Sequence, residues 1–134
     1  MSDVRYGILD TCVFIDVDKI EASTLPDESY VTTISLAELA AGPHAAQDPN
    51  ERAQRQDRLQ SVETNFEALP FDASAARAYG RVYALELAGG RKPRGARTMD
   101  LLIAAIAVAE NLTLYTRNPE DFASLTSILN IIVV

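Results

Sequence analysis

Tyr6-Gly-Ile-Leu-Asp-Thr-Cys-Val-Phe-Ile15 decides the fold. Tyr6 to Leu9 reads as a short buried β-strand, and Cys12 to Ile15 as the start of a short helix. Between them stands Asp10, an acid wedged between two apolar runs. An unpaired carboxylate in apolar surroundings is costly. This one needs either a helix to cap, a role that suits Asp, or a cation to bind. Taken by itself, the residue leaves both readings open.

The strand-then-helix pattern recurs along the chain. After a turn at Pro26 to Ser29, the β-branched stretch Tyr30 to Ile34 predicts a second strand. Ser35-Leu-Ala-Glu38 has the form of a capping box, which predicts a helix beginning at Ser35, and Gly42-Pro43 predicts its end. His44 to Asn50 is a polar loop, followed by a charged helix from Glu51 to Phe66 with Leu59, Val62 and Phe66 on one stripe. Ala68 to Phe71 predicts a third strand. Asp72 caps a helix that Gly89-Gly90 stops, and Gly90 to Arg97 reads as a mobile basic loop. Thr98 caps a helix from Met99 to Glu110, apolar nearly all round and so expected at the centre of the molecule. Leu112 to Tyr115 is a strand, Asn118-Pro119-Glu120-Asp121 a capped helical turn, and Ile128 to Val134 contains a last strand. This alternation predicts an α/β fold, a parallel central sheet with helices on both faces. No repeat or low-complexity tract divides it, so a single domain over 1–134 is expected.

Composition excludes several classes. The single cysteine, Cys12, rules out an internal disulfide and an all-cysteine zinc site, and fits a reducing cytoplasm; the single histidine, His44, argues against a histidine metal site or a Ser-His-Asp triad. No basic-then-apolar leader is visible. The longest aliphatic run, Leu101 to Ala109, falls short of the roughly 20 residues of a membrane helix. The net charge of −7 at first argues against nucleic acid. Its distribution matters more: Arg91, Lys92, Arg94 and Arg97 crowd one stretch, and Arg52, Arg55 and Arg58 recur every third position along a helix. Each set is either a rim for phosphates or a solvated surface.

Three more acids share the situation of Asp10. Glu38 lies in Ile34-Ser-Leu-Ala-Glu-Leu39, Asp100 in Thr98-Met-Asp-Leu-Leu-Ile-Ala-Ala-Ile106, and Asp121 in Thr116-Arg-Asn-Pro-Glu-Asp-Phe122. Each has an ordinary alternative. Glu38 completes the capping box, Asp100 favours a helix N-terminus through the dipole, and Asp121 is a first-turn acid after Asn-Pro. Most of the four follow a strand or open a helix leading from the sheet's carboxyl edge, where ligands bind in open α/β sheets. Like charges meeting at about 4 Å repel by about 4 kcal/mol per pair at an effective dielectric near 20. Convergence therefore calls for a divalent cation, and hard cations take oxygen ligands. Such an ion would also activate water against a phosphodiester.

Leu9-Asp10-Thr11, Ser35-x-x-Glu38-Leu39, Asp100-x-Leu102-Ile103-Ala104 and Thr116-Arg117-Asn118-x-x-Asp121-Phe122 resemble, in order and spacing, the motifs of PIN-domain ribonucleases, in particular the VapC-type toxins of toxin–antitoxin pairs. The resemblance implies a PIN-like three-layer domain. It implies Mg²⁺, with Mn²⁺ able to substitute, held by Asp10 and Asp100, with Glu38 and Asp121 completing a catalytic acidic cluster. Thr11, Thr116 and Asn118 would support the site, and Asn118 and Asp121 share the claim to the fourth position. It implies cleavage of structured RNA, often tRNA, leaving a 5′-phosphate and a 3′-hydroxyl. It further implies a homodimer and a cognate antitoxin that inserts a segment into the groove and carries the operator DNA contacts.

Two rival classes remain. A Mg²⁺-dependent phosphatase that attacks with Asp usually has a second Asp two residues on, where this chain has Cys12. A phospho-accepting receiver needs a late lysine, and the only lysines are Lys19 and Lys92. The other rival is a non-catalytic PIN-like module whose acidic groove receives a basic segment of a partner protein.

Overall fold

A computed structural model describes residues 3–134; Met1 and Ser2, at the start of the expected domain range, lie outside the described residues. Strands β1 (Tyr6–Leu9), β2 (Glu28–Thr32), β3 (Glu67–Leu69), β4 (Thr113–Thr116) and β5 (Ile131–Val133) form one sheet in the order β3-β2-β1-β4-β5. Every pairing is parallel, with Ile8 beside Tyr30 on one side and Leu114 on the other. The predicted parallel sheet is therefore present.

Strand alternation sends successive side chains to opposite faces, and each face has its own core. Ile8 and Leu114 pack with helices α4 (Ala73–Ala88) and α5 (Ala96–Glu110) and with a 3-10 segment, Pro119–Leu125. Leu9, Val31 and Tyr115 pack with α1 (Thr11–Ile15), α2 (Thr33–Ala45) and α3 (Pro49–Asn65). Two further 3-10 turns, Val17–Lys19 and Ala22–Thr24, lead into β2. As expected of a central helix, α5 buries Leu101 and every residue from Ile103 to Ala107 completely. Chain order runs β1 to β3 toward one edge and then crosses to β4 on the other side of β1. The carboxyl ends of β1 and β4 therefore form a topological switch point, where such sheets open a crevice. Gly7 makes the β1 backbone fit there: a Cβ on it would lie 2.3 Å from the Tyr115 ring.

Several boundaries differ from expectation. Helix α2 begins two residues early, because Thr32, at the end of β2, accepts the Ser35 amide at 3.1 Å and is the cap. Ser35 is thus inside the helix, and the capping box with Glu38 does not form. Helix α2 also runs through Gly42-Pro43 to Ala45. Its last carbonyls find donors on α3: Arg55 Nη1 bonds the Gly42 oxygen at 2.8 Å, and Arg52 Nε bonds the Pro43 oxygen at 3.2 Å. Guanidiniums suit that end of the helix dipole. Two arginines of the expected basic stripe therefore cap a helix, and His44 sits in that helix, exposed, instead of in a loop. Helix α5 starts before Thr98, at Ala96, following Gly95 at φ +65. This removes Thr98 as the cap and moves Asp100 past the first turn, where dipole stabilisation has faded.

Candidate active site

Asp10 follows β1 directly, and only 4% of it is exposed. Its Oδ1 accepts the Thr11 amide at 2.9 Å, and its Oδ2 accepts the Thr116 hydroxyl at 2.8 Å and the Cys12 thiol at 3.4 Å. Thr116 ends β4, the neighbouring strand, and its Oγ1 in turn accepts the Asn118 amide at 3.0 Å. The sheet register thus fixes the carboxylate. Asp10 does cap α1, as its ordinary reading holds, but the cap leaves it inside the crevice. Cys12 is thus a polar partner of this carboxylate. Burial first, then the charge of Asp10, pushes its thiol up to about 11, so it remains a donor.

Glu38, on α2, is fixed by hydroxyls instead of by a capping box. Thr11 Oγ1 donates to Glu38 Oε1 at 2.7 Å and lies 2.8 Å from Ser35 Oγ. Thr11 has one hydroxyl proton, and the carboxylate takes it, so Ser35 donates to Thr11. Thr32 Oγ1 donates weakly to Ser35 Oγ at 3.4 Å. A line of hydroxyls from the end of β2 therefore points at this acid.

Asp100 is half-buried on α5, and its carboxyl is pushed up to about 7. Burial is the main cause. The charges of Asp10, Asp121 and Glu38 follow in that order, and Arg97 opposes them least. Asp10 and Glu38 are raised as well, again by burial first, and each also senses one of the other acids. Asp100 thus feels the charge of three acids that come from three other chain segments. Among the described residues, Asp10, Glu38 and Asp100 form no salt bridge, whereas Asp121 lies 3.8 Å from Arg97.

Among the described residues no three acidic, histidine or cysteine side chains close into a ready-made metal cage. Mg²⁺ seldom uses one. It keeps several waters and takes one or two carboxylates together with substrate phosphates. The donor set here, hard oxygens raised in pKa and lacking an internal counter-ion, fits such an ion at Asp10 and Asp100.

The basic loop divides in two. Arg91 Nη1 donates to the Glu120 carbonyl at 2.9 Å, and Arg97, in the first turn of α5, points toward Glu86 and Asp121. Lys92 and Arg94 are exposed. Sequence reasoning missed Glu86 altogether, although its spacing from Ala75, Ala78 and Val82 places it on the buried face of α4.

The profile of the PIN domain matches residues 8–126. The chain belongs to the PIN-domain family. Its relatives make it a ribonuclease of the VapC type. It is 36% identical over 131 residues to Ribonuclease VapC5 of Mycobacterium tuberculosis, covering 96% of this chain and 93% of that one. It is 33% identical over 119 residues to Ribonuclease VapC of Rickettsia bellii, covering 86% and 87%. Its fold superposes on the crystal structure of VapBC-5, a member of the VapBC family of toxin–antitoxin systems from Mycobacterium tuberculosis, with a TM-score of 0.82 at 36% identity, covering 96% and 97% of the two chains. VapBC2 from Rickettsia felis, bound to a DNA fragment from its promoter, matches with a TM-score of 0.77 at 25% identity over 96% and 98%. Membership in this PIN family removes the phosphatase and receiver alternatives and favours the enzyme over the purely binding module.

Proposed function

We propose that this PIN-family ribonuclease is the toxin of a toxin–antitoxin pair, a single PIN-like domain over 1–134. It hydrolyses phosphodiesters of structured RNA, tRNA above all, with Mg²⁺ as cofactor and Mn²⁺ able to substitute. The observation that carries this reading is the half-buried Asp100 under the charge of Asp10, Asp121 and Glu38, with Asp10, Glu38 and Asp100 lacking a salt-bridge partner among the described residues.

In this reading Asp10 and Asp100 hold the cation, which supplies positive charge to the phosphodiester and makes a nearby water more acidic. Thr116, Cys12 and the Thr11 amide keep the Asp10 carboxylate in one orientation. Glu38, its Oε1 held by Thr11, keeps Oε2 for the proton of the attacking water. Water oxygen bonds to phosphorus as the bond from phosphorus to the 3′ oxygen breaks and the 3′ oxygen takes up a proton from solvent, leaving a 5′-phosphate and a 3′-hydroxyl. Asp121 closes the rim, and Asn118 braces Thr116 through its amide. Lys92 and Arg94 steer the RNA backbone, with Arg91 lending charge from an anchored position, whereas Arg97 is taken up by Glu86 and Asp121.

The partner is a cognate antitoxin, whose basic segment occupies the acidic groove and which makes the operator DNA contacts itself. Support comes from VapBC-5, described as a toxin–antitoxin system, and from the promoter-bound VapBC2. A cytoplasmic homodimer completes the proposal; exposed Tyr83 and Leu87 on α4 are consistent with self-association. No helix among the described residues is long and apolar enough to cross a membrane.

Total RNA incubated with the purified protein, with Mg²⁺ or with chelator, tests the reading by mapping new 5′-phosphate ends. Discrete ends that need both the ion and Asp10 are expected. Equal cleavage by Asp10→Asn, or in chelator, would refute it.

A further inference from the structure

Glu86 has no exposed surface and occupies a register position on α4 that Ala75, Ala78 and Val82 fill with apolar groups. A carboxylate there must have partners, and both of its oxygens do. Oε2 accepts Arg97 Nη1 at 2.9 Å, and Oε1 accepts the Ser124 hydroxyl. Arg97 reaches further. The same Nη1 donates to the Asp121 carbonyl at 3.0 Å, and Nη2 lies 3.8 Å from the Asp121 carboxylate. Arg97 also stands three residues before Asp100 on α5, a spacing that places two side chains on one helix face. A permanently charged guanidinium with five donors thus sits at the border of a site that works through uncompensated negative charge. Left alone, it would serve as the counter-ion of Asp100 and Asp121.

We infer, on the ribonuclease reading above, that Glu86 is a positioning residue for the acidic site. From the far side it neutralises Arg97, so that Arg97 anchors Asp121 without cancelling the charge that Asp10, Glu38 and Asp100 present to a cation. The plain alternative is a buried ion pair that only staples α4, α5 and the Pro119–Leu125 segment together. The two differ in what happens when charge is removed one side at a time.

Calorimetric titration of the full chain with Mn²⁺ separates them, with thermal melts confirming folding. Glu86→Gln keeps the shape and the Ser124 contact but releases one positive charge toward the site. Affinity for Mn²⁺ should fall roughly tenfold, the scale of a unit charge acting at close range in a partly solvated site. Glu86→Gln combined with Arg97→Gln restores charge balance and should bring affinity back to nearly the starting value. Unchanged affinity in Glu86→Gln, or a double variant weaker than the single, would overturn the inference while leaving the metal site intact. If Glu86→Gln does not fold, Arg97→Gln alone carries the test: with the guanidinium gone the Glu86 charge adds to that of the site, so Mn²⁺ should bind several-fold more tightly, and unchanged or weaker binding overturns the inference. An unsubstituted protein that takes up no Mn²⁺ would overturn the metal reading and this inference with it.

Discussion

Replacing Asp100 with Asn should stabilise the metal-free protein and abolish its activity. Burial and three neighbouring acids hold the Asp100 carboxyl near 7, against 3.8 for a free side chain. The folded state therefore keeps a proton between pH 4 and 7 that the unfolded chain has already released. Stability falls as pH rises through that window and levels off above 7. Without solvent screening the shift amounts to about 4 kcal/mol; for a half-exposed group about 2 kcal/mol is the better figure. Asn resembles the protonated acid, so Asp100→Asn in chelator at pH 8 should raise Tm by about 6 °C, and at pH 4 by almost nothing. RNA cleavage should drop at least about a hundredfold, because an interaction at the reacting phosphate is lost. Paired melts at the two pH values, with and without Mn²⁺, check the first part, and a gel assay checks the second. A variant less stable than the parent at pH 8, or equally shifted at both pH values, would show that the acid is not under strain and that the crowding argument fails.

Glu38→Gln retains an oxygen for Thr11 to donate to, so its unfolding free energy should stay within about 0.5 kcal/mol of the parent in urea unfolding, while cleavage falls about a hundredfold through loss of the proton acceptor; full activity would reduce Glu38 to a scaffold. Asp10→Asn keeps one oxygen for the Thr11 amide but turns its NH2 toward the Thr116 and Cys12 donors, which should cost about 1–3 kcal/mol and erase any stabilisation by Mn²⁺ in a thermal shift; a persisting ion response would place the cation elsewhere. Gly7→Ala forces a methyl to within 2.3 Å of the Tyr115 ring, and a loss of about 1–3 kcal/mol in urea unfolding is expected. A neutral effect there would mean that β1 and the ring part easily.

The fold was legible because its signals are local. Each strand is a short apolar or β-branched run, and the apolar character of Leu101 to Ile106 on every side predicted a buried α5. The boundaries were less so, because tertiary structure sets them. Ser35-x-x-Glu38 is a sound capping box in isolation, yet Thr32 stands three residues before Ser35 and is an equally good cap. Which of the two wins depends on where β2 stops, and β2 stops where its pairing with β3 ends, at Thr32 beside Leu69. Gly42-Pro43 likewise reads as a helix stop, yet α2 continues to Ala45, and its last carbonyls find donors on Arg52 and Arg55 of the next helix.

The acids of the site were visible for the opposite reason: they violate the local pattern. A carboxylate in an apolar run stands out without knowledge of its partners, which is how Asp10 and Asp100 could be singled out. Glu86 violates the pattern just as strongly, four residues after Val82 on the buried face of α4. In sequence alone a glutamate near a helix end, three residues before Gly89, looks like an ordinary solvated residue. Arg97 is hidden by the same rule, since a charge run resembles a solvated loop or a phosphate rim until the helix is seen to begin at Ala96. Each residue reads as exposed when taken alone, and together they form a pair with Glu86 fully buried and Arg97 mostly so. Opposite charges with the wrong burial pattern, one on a helix face that should be apolar and one beside a catalytic acid, are best sought as pairs, since neither can be buried without the other.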